Sequence, residues 1–129
     1  MLFKSNGKIL LCSEYLVLEG AKAIALPSKL TQDLQVTKCQ NEIIEWQSFD
    51  ENNDLWFEEK FYFNGNDLKY DSKKNKTSEK ILLLFKFLLE TKDVNDILGN
   101  KFLTKLNFKS EWGLGTSSTF VNNLSLIHI

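Results

Sequence analysis

Apolar and polar residues alternate along much of this chain, which is the period of strands with one buried face. Leu34 and Val36 alternate with Gln35 and Thr37. Phe102, Thr104, Leu106 and Phe108 alternate with Leu103, Lys105, Asn107 and Lys109, so a strand is predicted there too. Lys8–Cys12 reads as a short strand entering a bend. Leu16–Leu18 and Ala23–Leu26 are further short apolar pieces around Gly20. Ile43–Gln47 and Leu55–Phe63 are predicted strands. The polar run Asp50-Glu51-Asn52-Asn53-Asp54 between them predicts a hairpin. Asn64-Gly65 is a strong turn signal that returns the chain into Leu68–Tyr70.

The period changes after the polar, lysine-rich stretch Asp71–Lys76. Thr77 or Ser78 is expected to cap a helix running to about Glu90, with Ile81, Leu84, Phe85 and Leu88 on one face. Leu82, Leu83, Phe87 and Leu89 occupy its other faces, so burial on several sides is expected. Asp93 is expected to cap a short turn ending at Gly99.

Composition narrows the class. The 129 residues are enough for one domain with a real core, and 43% apolar content is ordinary for a globular protein. A net charge of −1 and the lack of a basic stripe argue against a nucleic-acid partner. Trp46, Trp56, Phe57, Phe61, Tyr62 and Phe63 are accordingly read as sheet packing, not as a base-stacking platform. No apolar stretch reaches the length of a membrane helix, since Lys86 interrupts the longest, and no membrane partner is expected. Cys12 and Cys39 form no metal pattern. Cys12 sits in an apolar run and is expected to be buried, and a reducing, cytoplasmic location is expected.

The candidate chemistry lies near the far end, at Trp112-Gly113-Leu114-Gly115-Thr116-Ser117-Ser118-Thr119. Two glycines let the backbone bend, and four hydroxyl residues of the kind that cap helices follow. Phe120, Val121 and Leu124 then suggest a helix. A glycine turn feeding a helix start offers unpaired N–H groups at the positive end of a dipole, which is a phosphate-binding device. Strand, glycine loop and helix is the context that device needs. No lysine follows Gly115 as a Walker loop requires, and Ser118 stands where a dinucleotide loop needs its third glycine. The competing reading is an ordinary glycine turn with a Ser/Thr cap.

A second segment bears on that choice. It runs Ser5-Asn6-Gly7-Lys8-Ile9-Leu10-Leu11-Cys12-Ser13-Glu14-Tyr15-Leu16-Val17-Leu18-Glu19-Gly20 and reaches Ala23-Ile24-Ala25-Leu26-Pro27. It resembles the first motif of the GHMP kinases, the superfamily of galactokinase, homoserine kinase, mevalonate kinase and phosphomevalonate kinase. Gly113–Ser118 resembles that superfamily's second motif, Gly-Leu-Gly-Ser-Ser. The two motifs occur in the superfamily's order and across nearly the whole chain. Glu14-Tyr15 looks like a bacterial branch named for a later Gly-Tyr-Asp-Ile-Ala motif. Asn6, Ser13 and Tyr15 stand where the usual Pro, Gly and His occur, and Thr116 replaces the first Ser of the second motif.

The resemblance implies an α+β fold of the ribosomal protein S5 domain 2-like type, with a mixed or antiparallel sheet and packed helices. It implies an ATP-dependent kinase acting on a small-molecule substrate, with ATP and Mg2+ as cofactors. Gly113, Leu114, Gly115, Thr116, Ser117 and Ser118 would hold the phosphates, Ser117 would ligate magnesium, Lys8 would be a catalytic residue near the transferred phosphate or the acceptor, and Glu14 and Tyr15 would lie on the acceptor side. Mevalonate or phosphomevalonate leads among acceptors, and sugars and homoserine remain open. The oligomeric state is not legible. The alternative is a non-catalytic nucleotide-binding or structural module of the same shape.

Residues 1–123 are expected to be part of the N-terminal, ATP-binding domain, with the C-terminal domain absent. The last residues, Leu124-Ser125-Leu126-Ile127-His128-Ile129, resemble a translated sequencing adapter and are expected to be a non-native tail. His128, the single histidine, is therefore not read as a base. The aspartate of the later motif is the superfamily's usual catalytic carboxylate, and none of Asp50, Asp54 and Asp71 replaces it, so the chain as given is expected to be inactive.

Overall fold

The computed structural model describes residues 1–13, 16–90 and 93–127. The order of elements is β1 (Leu2–Cys12), β2 (Ile24–Lys38), β3 (Ile44–Phe49), β4 (Leu55–Asn64), β5 (Asp67–Tyr70), α1 (Lys76–Leu89), α2 (Val94–Ile97), β6 (Asn100–Leu106) and α3 (Thr116–Ile127). The strands form one sheet in the order β1-β2-β6-β3-β4-β5. β3 and β6 run parallel, and the other neighbours are antiparallel. This is the α+β, mixed-sheet architecture expected from the sequence.

Strand register sorts the side chains into two layers. Leu34 lies opposite Thr104, Val36 opposite Phe102, Trp46 opposite Phe102 and Ile44 opposite Phe61. All of these are buried beneath the helices. The alternate residues carry charge. Asp33 faces Lys105, while Glu45 faces Lys101 on one side and Lys60 on the other. Opposite charges directly across a sheet are mutually favourable. One face is therefore an oily floor for helices and the other an open, charged surface, as period-two alternation requires.

The core centres on aromatic rings. Trp46 stacks on Phe102 with centroids 5.7 Å apart, and Phe85 of α1 meets Phe102 edge-on at 5.2 Å. Phe61 also meets Phe85, at 5.5 Å. The sheet-packing reading of Trp46 and Phe61 holds, whereas Trp56 is exposed.

Several local expectations change. Asn75, not Thr77 or Ser78, caps α1, accepting a hydrogen bond from Ser78 N at 2.8 Å. Ser78 is buried, and its hydroxyl donates to the buried carboxylate of Glu59, which Ser72 also reaches. Ile81, Phe85 and Leu88 of α1 are buried, but Leu83 and Phe87 are exposed. The sheet covers one side of α1, and among the described residues nothing covers these two side chains. Asp93 caps α2 as expected, accepting from Asn95 N. The two apolar pieces around Gly20 also separate. Leu16–Glu19 is an exposed 3-10 turn, while Ile24 opens the long strand β2. Cys12 is exposed, against expectation. β2 pairs with β6 only from Gln32 onward, so the far end of the β1–β2 hairpin projects beyond the sheet.

Candidate functional site

The two sequence motifs meet at one edge of the sheet. β1 is an edge strand and carries Lys8. β6 leads into a 3-10 turn at Ser110–Trp112, which the sequence reading missed, then into the glycine loop and α3. Gly113 and Gly115 both have positive φ, 68° and 74°, a region costly for residues with a Cβ. Lys8 N donates to Leu114 O at 2.9 Å, which seats the loop against β1. The Lys8 stem crosses Gly115. A Cβ added at Gly115 would stand 3.1 Å from Lys8 Cγ. Gly7 is tighter still, with Ser28 Oγ 2.9 Å and Leu114 O 3.1 Å from the position of its missing Cβ.

The loop's amides divide into used and unused. Ser118 N and Thr119 N both donate to Gly115 O, at 2.9 and 3.0 Å, and Trp112 N donates to Lys109 O. Among the described residues, the amides of Gly113, Leu114, Gly115, Thr116 and Ser117 have no hydrogen-bond partner. Gly115, with its left-handed backbone, stands directly before the helix in the place where the hydroxyl residues were expected to cap. Ser117 and Ser118 are exposed, Thr116 and Lys8 are half-buried, and Leu114 is buried. Among the described residues no carboxylate pairs with the Lys8 ammonium. Glu14 and Tyr15, the acceptor-side candidates, lie outside the described residues, as does His128.

Beside the loop an open groove of about 770 Å³ runs between α1 and α3. Trp56, Leu83, Phe120 and Val121 give it an apolar lining, and Thr116 and Ser117 form part of its wall. Among the described residues no cluster of His, Cys, Asp or Glu is arranged to hold a metal. Among the described residues, the groups with displaced proton affinities lie near the opposite edge. The hydrogen bond to Asp71 raises Tyr62 above the usual phenol range, and the hydrogen bond from Lys86 lowers Asp67 below the usual carboxylate range. Asp50, read as a solvated turn residue, accepts from Asn52 N and Asp54 N.

Sequence reading missed a set of buried polar side chains behind the loop. Thr119 and Asn123 of α3, Gln32 of β2 and Ser5 of β1 are all buried. The signal was present, since Asn123 falls four residues after Thr119 on one face of a helix otherwise expected to turn apolar groups inward.

These features define an S5-like α+β domain with a glycine-loop helix start against its edge strand. Comparison with known proteins shows whose fold it shares. No family profile matches the sequence, and no curated protein matches it. Solved structures do. The mevalonate kinase of Methanococcus jannaschii matches with a TM-score of 0.65 at 17% identity, over 96% of this chain. Another mevalonate kinase structure matches with a TM-score of 0.65 at 16% identity, again over 96% of this chain. The chain spans 38% of the length of each. The domain therefore has a mevalonate kinase-type fold. Among the described residues no helix is long and apolar enough to cross a membrane.

Proposed function

We propose that this chain is the nucleotide-binding part of a GHMP-type, ATP-dependent small-molecule kinase. The observation that carries the reading is the run of unpartnered amides at Gly113–Ser117, opening onto a helix start with the Lys8 stem laid across it. Consecutive N–H donors at the positive end of a helix dipole suit a polyphosphate. The Ser118 amide is spent on Gly115 O, so the backbone cradle ends at Ser117, and Ser118 would contribute through its exposed hydroxyl.

The donor set fits ATP with magnesium. Backbone amides would hold phosphate oxygens, and the exposed Ser117 hydroxyl would supply one oxygen to the metal. Magnesium commonly keeps waters and phosphate oxygens as its remaining ligands, so a site with no carboxylate cluster is compatible with it. Bound there, it would neutralise charge on the phosphates. Phosphoryl transfer depends chiefly on positioning and charge neutralisation. Lys8 contributes to both, because its stem is fixed against Gly115 while its ammonium has no carboxylate partner among the described residues. The apolar groove beside Thr116 and Ser117 has room for the nucleoside.

Mevalonate or phosphomevalonate is the proposed acceptor, following the solved mevalonate kinases that share the fold. Glu14 and Tyr15 are the proposed acceptor-side residues. Transfer itself is proposed for a polypeptide that also supplies what the other part of those kinases supplies. Nucleotide binding is what is proposed for these 129 residues. The tight seat of Lys8 on Gly115 equally suits a structural turn in a module without catalysis.

Titration with ATP and magnesium, followed by amide NMR, separates the two readings. Selective shifts at Gly113–Ser117 and Lys8 are expected. No shift at millimolar nucleotide would leave the structural turn.

A further inference from the structure

The helix that follows the glycine loop is tied to the sheet by a chain of buried hydrogen bonds that the proposed phosphate site does not itself use. Thr119 Oγ1 donates to Gln32 Oε1 at 2.6 Å and lies 2.9 Å from Thr116 O. Asn123 Nδ2 donates to Gln32 O at 2.7 Å. Ser5 Oγ donates to Asn123 Oδ1 at 2.7 Å and accepts from Asn122 Nδ2 at 2.7 Å. Thr119, Asn123, Gln32 and Ser5 are each more than nine-tenths buried.

The placement of these groups has a geometric consequence. Thr119 lies four residues after Gly115, and Ser5 lies three residues before Lys8. The network therefore joins the element that carries the glycine loop to the strand that carries Lys8. Its other connection is the bond from Lys8 N to Leu114 O. Apolar contact is non-directional and tolerates small sliding. Hydrogen bonds weaken steeply with misalignment, and an unsatisfied buried polar group is costly. A helix held by four such bonds has one register on the sheet.

We propose that Thr119 and Asn123 are positioning residues for the phosphate site. Through Gln32 and Ser5 they lock α3 against β1 and β2, so that the Gly113–Ser117 amides and Lys8 keep one mutual geometry. The proposal rests on reading that loop as the phosphate cradle, and it is tested by two readouts that fail separately.

The first readout is hydrogen exchange at the Lys8 and Ser118 amides, which need no nucleotide. Thr119→Val and Asn123→Leu should speed exchange there roughly tenfold, the effect of removing one buried hydrogen bond. The Phe102 amide in the middle of the sheet should change far less. The second is ATP affinity. Thr119→Val should weaken it roughly tenfold, and Thr119→Ser, which keeps the hydroxyl, should restore it to within about twofold. Leu88→Ala is the control. It removes core packing beneath α1, so it should lower the unfolding midpoint while leaving the affinity of the folded protein unchanged.

Unchanged exchange at Lys8 in Asn123→Leu would overturn the proposal, whatever happens with ATP. Equal ATP affinity in Thr119→Val and the parent would overturn it too. A parent chain that binds no ATP removes the phosphate reading, and the exchange data then decide whether the locked frame exists.

Discussion

The two long helices lie on the same face of the same sheet, yet they are held there by different physics. α1 rests on Ile81, Phe85 and Leu88, sunk among Trp46, Phe61 and Phe102. α3 also buries Leu124, but it turns Thr119 and Asn123 inward and meets hydrogen-bonding partners on β1 and β2. Phe120 of α3 meets Trp46 edge-on at 5.3 Å as well, but the apolar packing of the first helix is expected to make it the larger contributor to stability. Directional bonding makes the second the better determined in position. The loop that needs an accurate position adjoins the second.

Breaking the apolar side should have the largest effect on stability. Phe85→Ala removes a fully buried ring in contact with Trp46, Phe61 and Phe102 and is expected to cost about 3–5 kcal/mol in urea denaturation. Asn123→Ala should cost less, about 1–3 kcal/mol, because it removes the acceptor of the Ser5 hydroxyl and the side-chain donor to the Gln32 carbonyl. A double-mutant cycle with Ser5→Ala should return a coupling energy of about 0.5–3 kcal/mol, and additivity would show the two residues to be independent.

Gly115→Ala comes next. It places a Cβ in left-handed backbone, costing about 1–2 kcal/mol, and pushes on the Lys8 stem. ATP affinity should fall more than stability does, as judged by comparing calorimetric binding with the denaturation midpoint. Leu83→Ser, on the uncovered side of α1, should change stability by less than about 0.5 kcal/mol. A large loss there would mean that something packs on that side after all.

The smallest effect concerns pH. The hydrogen bond from Lys86 lowers the proton affinity of Asp67 in the folded chain, so the unfolded chain binds that proton more tightly. Its contribution is present above the ordinary carboxylate value of 3.8 and is lost as pH falls through the folded value. Carboxyl NMR of Lys86→Met should show the Asp67 midpoint moving up toward that value.

Strand periodicity was legible wherever one face is buried. The alternation at Leu34–Val36 and at Phe102–Phe108 predicted side chains that are indeed buried, and the turn residues at 50–54 and 64–65 marked real hairpins. Exposure was less legible where it depends on what lies opposite. Leu83, Phe87 and Cys12 are apolar or thiol residues in apolar runs, but nothing among the described residues covers them. The cap of α1 was missed because Asn75 competes with two hydroxyl residues just after it, and Ser78 is drawn to Glu59 instead.

At the candidate site the residue types were legible and their meeting was not. Two glycines and a run of hydroxyl residues announce a bend and a helix start through local backbone energetics, which the chain carries in every context. That Lys8 lies across Gly115, more than a hundred residues away in sequence, follows only from β1 taking the sheet edge beside the loop. The same holds for Ser5, Gln32, Thr119 and Asn123, four unremarkable polar residues whose burial costs free energy unless they find one another. Local preference is written in neighbouring residues, whereas partner choice depends on which elements pack side by side, and that was decided by the folded sheet.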